Sequence, residues 1–364
     1  MSTDILRIIE GGLANDKRKI INYAMRLAER LKADGDMQLS NCIVEQIEAS
    51  THKNAATADA IRMVPLDIDS KLQIVEVIPE NTTRTDIVLS NLVQQQVEEF
   101  IKLVENNAEL ELAGLNINKS LLLYGAPGCG KTSIAHYISE RTGLPLVVAK
   151  LDAIVSSLLG STAKNISRIF SYVSSMPCIL LLDEFDAIAK ARDDSHELGE
   201  LKRVINSLLQ NIDAMPTSTV LIAATNHPDL LDKAVWRRFF TKLEVGLPDD
   251  SGRRLILQNL LKGFKCTFLE DDNRMKIVSE LMANLSPSDI STIMMKLKVK
   301  SIICGDKVIS YEQVLASIYE FGGKDKPVEK FIVYLNTYGV TQSTISKMLN
   351  ISLRQVRNAL LDNK

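Results

Sequence analysis

One glycine-rich segment of this sequence carries residue types whose spacing defines a chemistry. It follows an apolar run at positions 120–124, reads Gly125-Ala-Pro-Gly-Cys-Gly-Lys-Thr132, and continues into a stretch of helical character. Because glycines adopt backbone conformations that are barred to residues with a Cβ, successive N–H groups can turn towards one anion. A strand, a G-x-x-x-x-G-K-[ST] loop and a helix in this order predict a phosphate-binding loop.

The residues of this loop have distinct predicted roles in holding a nucleotide and Mg²⁺. Lys131 can reach the β- and γ-phosphates, and the Thr132 hydroxyl can bind the metal. The helix that follows directs the positive end of its dipole towards the phosphates. A chance glycine turn is the alternative interpretation. The residues that we predict to bind the nucleotide are Gly125, Pro127, Gly128, Cys129, Gly130, Lys131, Thr132 and Ser133.

Two adjacent acids end another apolar run and supply the remaining chemistry. The segment reads Cys178-Ile-Leu-Leu-Leu-Asp-Glu-Phe-Asp186, so Asp183 and Glu184 come directly after a predicted strand. Asp183 can hold Mg²⁺, directly or through water, and Glu184 can polarise the water that attacks the γ-phosphate. Such a pair can also be a solvated strand end. Its position roughly fifty residues after a phosphate-binding loop favours the functional interpretation.

The elements that must position these residues are predicted from continuous apolar runs. Runs at positions 120–124, 144–149, 178–182 and 220–224 are separated by helical sequence. Strands of this kind are buried on both faces, so they predict an α/β fold with a parallel sheet covered by helices on both sides. An amphipathic helix is expected before the first run, with an apolar face formed by Val93, Val97, Phe100, Ile101 and Val104.

Two further segments complete a resemblance to a known family. They read Val220-Leu-Ile-Ala-Ala-Thr-Asn226 and Leu231-Asp-Lys-Ala-Val-Trp-Arg-Arg238. With the phosphate-binding loop and the acidic pair, they resemble the ATPase module of the AAA family of ring-forming ATPases, from residue 84 to about residue 321. The resemblance implies hydrolysis of ATP with Mg²⁺ and a homo-oligomeric ring, expected to be a hexamer.

The resemblance also assigns roles to individual residues. It makes Asn226 the polar sensor beside Glu184, and it makes Arg237 and Arg238 the fingers that reach the γ-phosphate of a neighbouring subunit. A guanidinium supplied in trans stabilises transition-state charge and couples hydrolysis to assembly. A solvated basic turn is the alternative interpretation of the two arginines.

The chain departs from the family pattern in two places. In the segment that resembles the substrate-gripping pore loop, Leu158 stands where an aromatic residue is usual and Ser161 where an acid is common. Polypeptide threading and packing of Leu158 in a core therefore both stay open. In the lid, Pro287-Ser-Asp289 replaces the small G-A-D or G-S-D turn that family members place against the adenine.

The composition predicts a soluble globular protein. Of the 364 residues, 46% are hydrophobic and 24% are charged, which suits two or three domains. The formal net charge of -2 predicts no global attraction to nucleic acid. Five widely spaced cysteines without a C-x-x-C pair suggest neither a disulfide framework nor a zinc site. No apolar run approaches the length of a membrane span, so we expect a cytoplasmic protein without an export signal or an anchor.

We divide the chain into five segments. They are an N-terminal helical hairpin at 1–50, a linker with short strands at 51–83, a large α/β ATPase subdomain at 84–248, a helical lid at 249–322 and a helix-turn-helix-like module at 323–364. The hairpin is too small to bury much by itself, so it is either an adaptor for a partner or a buttress of the ATPase body.

The C-terminal module separates two functional interpretations. Asn350 is expected to make its turn and Ser352 to cap its second helix, and its basic residues are few: Lys347, Arg354, Arg357 and Lys364. We favour protein docking over DNA reading because this charge is small for a phosphate-contacting surface. The whole layout is also similar to bacterial ATPases paired with a subtilisin-like serine protease in phage-defence or exclusion operons, which implies a protease partner. The alternative is a DNA-binding ATPase switch.

Overall fold

The computed structural model describes most of the chain after residue 86. The described residues are 23–24, 26–28, 30–31, 64–67, 73–79, 87–115, 117–151, 159–187, 198–305, 307–323 and 327–362. The hairpin predicted at 1–50 lies outside them except for the helical positions between 23 and 31, and most of the predicted linker lies outside them as well.

The described residues form one sheet, with the strand order β1-β3-β4-β5-β2-β6. The antiparallel edge strand β1 pairs with β3, and the other neighbouring pairs are parallel. The parallel α/β sheet predicted from the apolar runs is therefore confirmed. The strands are β1 (Glu76–Ile78), β2 (Ser120–Tyr124), β3 (Leu146–Lys150), β4 (Ile179–Asp183), β5 (Val220–Thr225) and β6 (Thr241–Glu244).

Helices cover both faces of the sheet because alternate residues of its apolar strands point to opposite sides. The helices of this body are α1 (Asn91–Glu105), α2 (Asn107–Leu112), α3 (Lys131–Thr142), α4 (Leu159–Val173), α5 (Leu198–Asp213) and α6 (Lys233–Trp236). Leu122 and Leu180 pack on one face of the sheet with α4 and α5, whereas Leu121 and Leu181 pack on the other face with α1 and α3.

The amphipathic helix expected before the phosphate-binding loop is α1. Ser90 begins it by accepting a hydrogen bond from the Val93 N–H, which satisfies one of the free donors at the helix start. Its buried residues are the predicted ones, Val93, Val97, Phe100, Ile101 and Val104. This face packs against α3, so it supports the helix that follows the loop.

The chain after the sheet is helical. The expected lid comprises α7 (Asp250–Leu260), α8 (Asp272–Leu281), α9 (Pro287–Ile303) and α10 (Tyr311–Phe321), and the C-terminal helices are α11 (Val328–Thr337), α12 (Gln342–Leu349) and α13 (Leu353–Leu361). As predicted, Asn350 ends α12 in the left-handed conformation, with φ 54°, and the Ser352 side chain caps α13.

The lid and the C-terminal helices share one apolar core. Ile293 of α9 and Val314 of α10 belong to the same buried cluster as Leu335, Ile345 and Val356 of the last three helices. The helix-turn-helix-like unit therefore packs on the lid, and the division at residue 323 stays a prediction. None of the helices in the described ranges combines the length and the apolar character that crossing a membrane requires.

Candidate nucleotide-binding site

The glycine loop connects the end of β2 to the first residue of α3. Gly125, Gly128 and Gly130 have φ values of 140°, 75° and 97°, in the region that favours glycine. Gly125 is also limited by space, because a Cβ on this residue would lie 2.2 Å from the Val245 carbonyl oxygen. The predicted loop geometry is therefore present, and it depends on backbone that follows β6.

The Lys131 side chain lies within this loop. Its Nζ donates hydrogen bonds to the carbonyl oxygens of Gly125, at 2.8 Å, and Ala126, at 2.9 Å. Burial lowers the pKa of Lys131, while the nearby carboxylates of Asp183 and Asp186 act in the opposite direction. The ammonium group is thus held at the loop, where phosphate oxygens are chemically equivalent acceptors.

The two predicted metal ligands lie in direct contact. The Thr132 hydroxyl donates to Asp183 Oδ2 at 3.0 Å, and Asp183 Oδ1 accepts the Glu184 N–H at 2.9 Å. A hydroxyl and a carboxylate are the hard oxygen ligands that Mg²⁺ binds, with phosphates and water completing its coordination. These two residues therefore fit a Mg²⁺ site beside the loop.

Glu184 begins a tight turn after β4 and is solvent-exposed. Its φ of 53° lies in the left-handed region, which is uncommon for a residue with a Cβ. The turn is closed by the Ala187 N–H, which donates to the Glu184 carbonyl at 2.9 Å, and the Phe185 N–H donates to Ala224 of β5, also at 2.9 Å. Backbone contacts with β5 thus hold Glu184 at the carboxyl edge of the sheet.

Asn226 lies at the same edge, immediately after β5. Its N–H donates to Asp186 Oδ1 at 3.2 Å, and the Thr225 hydroxyl donates to the same oxygen at 3.1 Å. The sheet register pairs Thr225 with Tyr124, the last residue before the loop. The fold therefore brings Asn226, the glycine loop, Thr132 and the acidic pair to one edge.

The sequence analysis did not predict that Asp186 and Thr225 form part of this site. Asp186 is the last residue of the Asp-Glu-Phe-Asp segment, and its position three residues after Asp183 was the available signal. It is a buried carboxylate, at 3% exposure. Its contact with Thr225 joins positions far apart in sequence, which no local pattern indicates.

The two predicted arginine fingers lie elsewhere. The Ser120 hydroxyl donates to the Arg238 carbonyl at 3.0 Å and accepts the Phe240 N–H at 2.9 Å, so the arginine turn lies beside the first residue of β2. The glycine loop follows the last residue of the same strand, roughly 16 Å away at the usual rise per residue. The chain does not bring its arginines to its own loop.

The two arginines differ in their surroundings. Arg238 forms an ion pair with Asp213, with Nη2 and Oδ2 3.1 Å apart, and it donates to the Ala234 carbonyl at 2.8 Å. Arg237 is exposed at the end of α6. Arg238 thus has bonds within its own chain that hold the turn, and the Arg237 side chain extends into solvent.

The lid touches the glycine loop directly. The Ser288 N–H donates to the Gly128 carbonyl at 3.2 Å, and a Cβ on Gly128 would lie 2.7 Å from Ser286 Oγ. Ser286 and Asp289 form a reciprocal capping box that begins α9. The segment Pro287-Ser-Asp289, which departs from the family pattern, therefore still packs against the loop.

A cavity of about 310 Å³ lies between the loop and the lid. This volume is in the range of small-ligand pockets. Its lining is mainly apolar with a few polar groups, as a pocket for a planar base requires, and includes Ile87, Val88, Ile256, Asn259, Leu260 and Ser291. Leu158 of the expected pore loop lies outside the described residues, so its role stays a prediction.

A parallel α/β sheet with a glycine loop, Thr132 and Asp183 meeting at its carboxyl edge defines a P-loop nucleotide-binding domain. Residues 121–247 match the family described as "ATPase family associated with various cellular activities (AAA)". Residues 121–247 are therefore similar to the ATPase domain of that family.

Several curated proteins are similar to this chain. An uncharacterized AAA family ATPase of Sinorhizobium fredii (strain NBRC 101917 / NGR234) is 40% identical over 212 residues, which are 58% of this chain and 64% of the relative. The proteasome-activating nucleotidase of Methanococcus vannielii is 28% identical over 300 residues, 79% of this chain and 72% of the relative.

The ATP-dependent zinc metalloprotease FtsH 2 of Symbiobacterium thermophilum is 28% identical over 240 residues, 64% of this chain and 40% of the relative. The chain thus covers less than two thirds of the length of the Sinorhizobium protein and of the metalloprotease.

We expect Gly125→Ala to weaken MgATP binding at least about tenfold, because the new Cβ would displace either the loop or the backbone at Val245 and would also strain φ. Gly246→Ala is the matched control, since it lies next to the same contact and a Cβ there meets nothing within 4 Å. Titration with MgATP and thermal unfolding measure both variants. Equal affinity for MgATP in the two variants would contradict the steric constraint that Val245 places on Gly125.

Proposed function

We propose that this chain hydrolyses ATP in a homo-oligomeric ring, a hexamer, and uses the hydrolysis to remodel or regulate a protein partner. The observation that carries the proposal is the meeting of the glycine loop, the Thr132–Asp183 pair and Glu184 at one sheet edge. These are the parts that phosphoryl transfer to water needs, namely a phosphate cradle, metal ligands and a group that positions the water.

Each side chain has a proposed task in this reaction. The loop N–H groups and Lys131 bind the phosphates, and Thr132 and Asp183 hold Mg²⁺, which supplies positive charge against the β- and γ-phosphates. Glu184 orients and polarises the attacking water, and Asn226 contacts the γ-phosphate region beside it. The exposure of Glu184 supports its assignment, because water must reach its carboxylate.

We expect Glu184→Gln to keep MgATP affinity within about threefold and to lose at least about 100-fold in turnover, because the phosphate cradle remains while the general base is lost. Steady-state hydrolysis and nucleotide titration measure the two effects. Glu244→Gln is the control, since Glu244 is an exposed glutamate at the end of β6, the edge strand that pairs with β2. Turnover at the wild-type rate in Glu184→Gln would refute the assignment.

The proposed ring is supported by the position of the arginines. Arg237 lies near the first residue of β2, and the glycine loop follows the last residue of this strand. Arg237 can therefore reach a γ-phosphate only in another copy of the chain. We assign the trans finger to Arg237, and we assign to Arg238 the task of fixing the turn through its ion pair with Asp213.

We expect Arg237→Ala to lower turnover about a thousandfold with little change in MgATP affinity, because no guanidinium then stabilises the negative charge of the transition state. Mixing this variant with Lys131→Ala subunits, which keep Arg237 but lack the phosphate-binding lysine, should restore part of the turnover. Arg238→Ala should in addition lower thermal stability. If no mixture restores hydrolysis while assembly is intact, the finger does not act in trans.

The proposed partner is a protein, and more specifically a subtilisin-like serine protease that the ATPase restrains or feeds. The protease proposal rests on the layout of the segments. The preference for a protein is supported by exposed apolar residues on α11 to α13, namely Val328, Met348, Leu353 and Leu361. Exposed apolar side chains favour contacts with protein, whereas nucleic-acid surfaces are rich in basic groups. Co-purification followed by mass spectrometry identifies the partner.

The alternative function, a DNA-binding ATPase switch, is favoured by the exposed Arg354 and Arg357 of α13. We expect the unmodified chain to show no salt-sensitive binding to duplex DNA, and we expect Arg354→Glu/Arg357→Glu to give the same result. Fluorescence anisotropy over a salt series measures this. A sequence-selective duplex complex at physiological salt, lost in the double variant while ATPase activity is kept, would overturn the preference.

A further inference from the structure

Asp186 lies between two residues of the proposed catalytic site and has no task in the chemistry described so far. Its carboxylate is buried, at 3% exposure, and its Oδ1 accepts hydrogen bonds from the Thr225 hydroxyl at 3.1 Å and the Asn226 N–H at 3.2 Å. Burying a carboxylate away from water costs free energy unless hydrogen-bond donors replace its hydration. Both of these donors lie at the end of β5, so Asp186 determines how β5 ends.

The same segment also fixes the turn after β4. The Phe185 N–H donates to the Ala224 carbonyl at 2.9 Å, so residues 185–186 and 224–226 are joined by backbone and side-chain bonds alike. Glu184 immediately precedes this joined segment, and Asn226 is part of it. The relative position of the proposed water-polarising carboxylate and the proposed sensor is therefore set by these contacts.

The backbone of Glu184 shows why such a restraint is needed. Its φ of 53° lies in the left-handed region, which is strained for a residue with a Cβ. Backbone of this kind persists only where the surrounding structure over-determines it. Within the turn, the Glu184 N–H donates to Asp183 Oδ1, and the Glu184 carbonyl accepts the Ala187 N–H. The hydrogen bonds of Asp186 then hold the C-terminal half of the turn against β5.

We propose that Asp186 is a positioning residue for hydrolysis, which uses its bonds to Thr225 and Asn226 to hold Glu184 and Asn226 in one arrangement at the γ-phosphate. This inference rests on the ATP hydrolysis proposed above. It assigns no contact between Asp186 and the nucleotide, so loss of the hydrogen bond between Asp186 and Thr225 should affect turnover and not nucleotide affinity.

The hydroxyl of Thr225 offers a cleaner test than Asp186 itself, because removing Asp186 also removes a negative charge that acts on Lys131. Thr225→Val deletes the donor to Asp186, together with the acceptor of the His227 N–H, with little change in volume, and Thr225→Ser restores the hydroxyl and both bonds. Thr219→Val is the matched control: Thr219 is buried directly before the first residue of β5, and its hydroxyl donates to the Val173 carbonyl at 3.4 Å, at the other edge of the sheet.

We expect Thr225→Val to lower kcat about tenfold, since a hydrogen bond to a charged group is lost, while the Kd for MgATP changes less than about twofold. Thr225→Ser should recover most of kcat, and Thr219→Val should keep wild-type kcat despite a similar loss of thermal stability. In an Asp186→Ala background, Thr225→Val should lower kcat further by less than about twofold, because the proposed effect of the Thr225 hydroxyl on kcat passes through its bond to Asp186.

Two results would overturn the inference. One is wild-type kcat in Thr225→Val, and the other is an equal loss of kcat in Thr225→Val and Thr219→Val that follows the loss of thermal stability. Absence of ATP turnover in the unmodified ring would instead refute the proposed hydrolysis itself, so the two failures are distinguishable.

Discussion

The arrangement of the site depends on the hydrogen bond between the Thr132 hydroxyl and the Asp183 carboxylate. Asp183 ends β4 and Thr132 lies in the first turn of α3 after β2, yet β5 lies between these two strands in the sheet. The bond therefore spans the end of β5, where Asn226 lies. Because parallel strands present their carboxyl ends at one edge, three segments distant in sequence contribute to a single site.

The two ends of β2 lie next to two different parts of the proposed site, the glycine loop and the arginine turn. The glycine loop follows its last residue, and the arginine turn is bonded to Ser120, its first residue. A rigid buried strand keeps these groups apart within one chain, which is the geometry that a finger acting in trans requires. In the proposed ring, this separation along β2 would couple hydrolysis to assembly.

The lid connects the glycine loop to the C-terminal helices through packing. The first turn of α9 is bonded to Gly128, and the apolar residues of the same helix share a core with α11 to α13. A partner that docks on the C-terminal helices would therefore act on a unit that is already in contact with the loop. A side chain larger than that of glycine at position 128 would separate the lid from the loop.

The sequence by itself determined the central strands, the buried face of α1, the glycine loop and the acidic pair, because each is a local pattern of apolar runs, helical periodicity or special backbone. The short edge strand β6, in which only Leu243 is buried, lacked such a pattern. Tertiary structure alone decided that Gly125 meets Val245, that Arg238 pairs with Asp213, that Asp186 accepts from Thr225, and that the lid shares its core with the C-terminal helices. Each of these contacts joins residues far apart in the chain, so it depends on sheet register and helix packing, which periodicity and spacing do not specify.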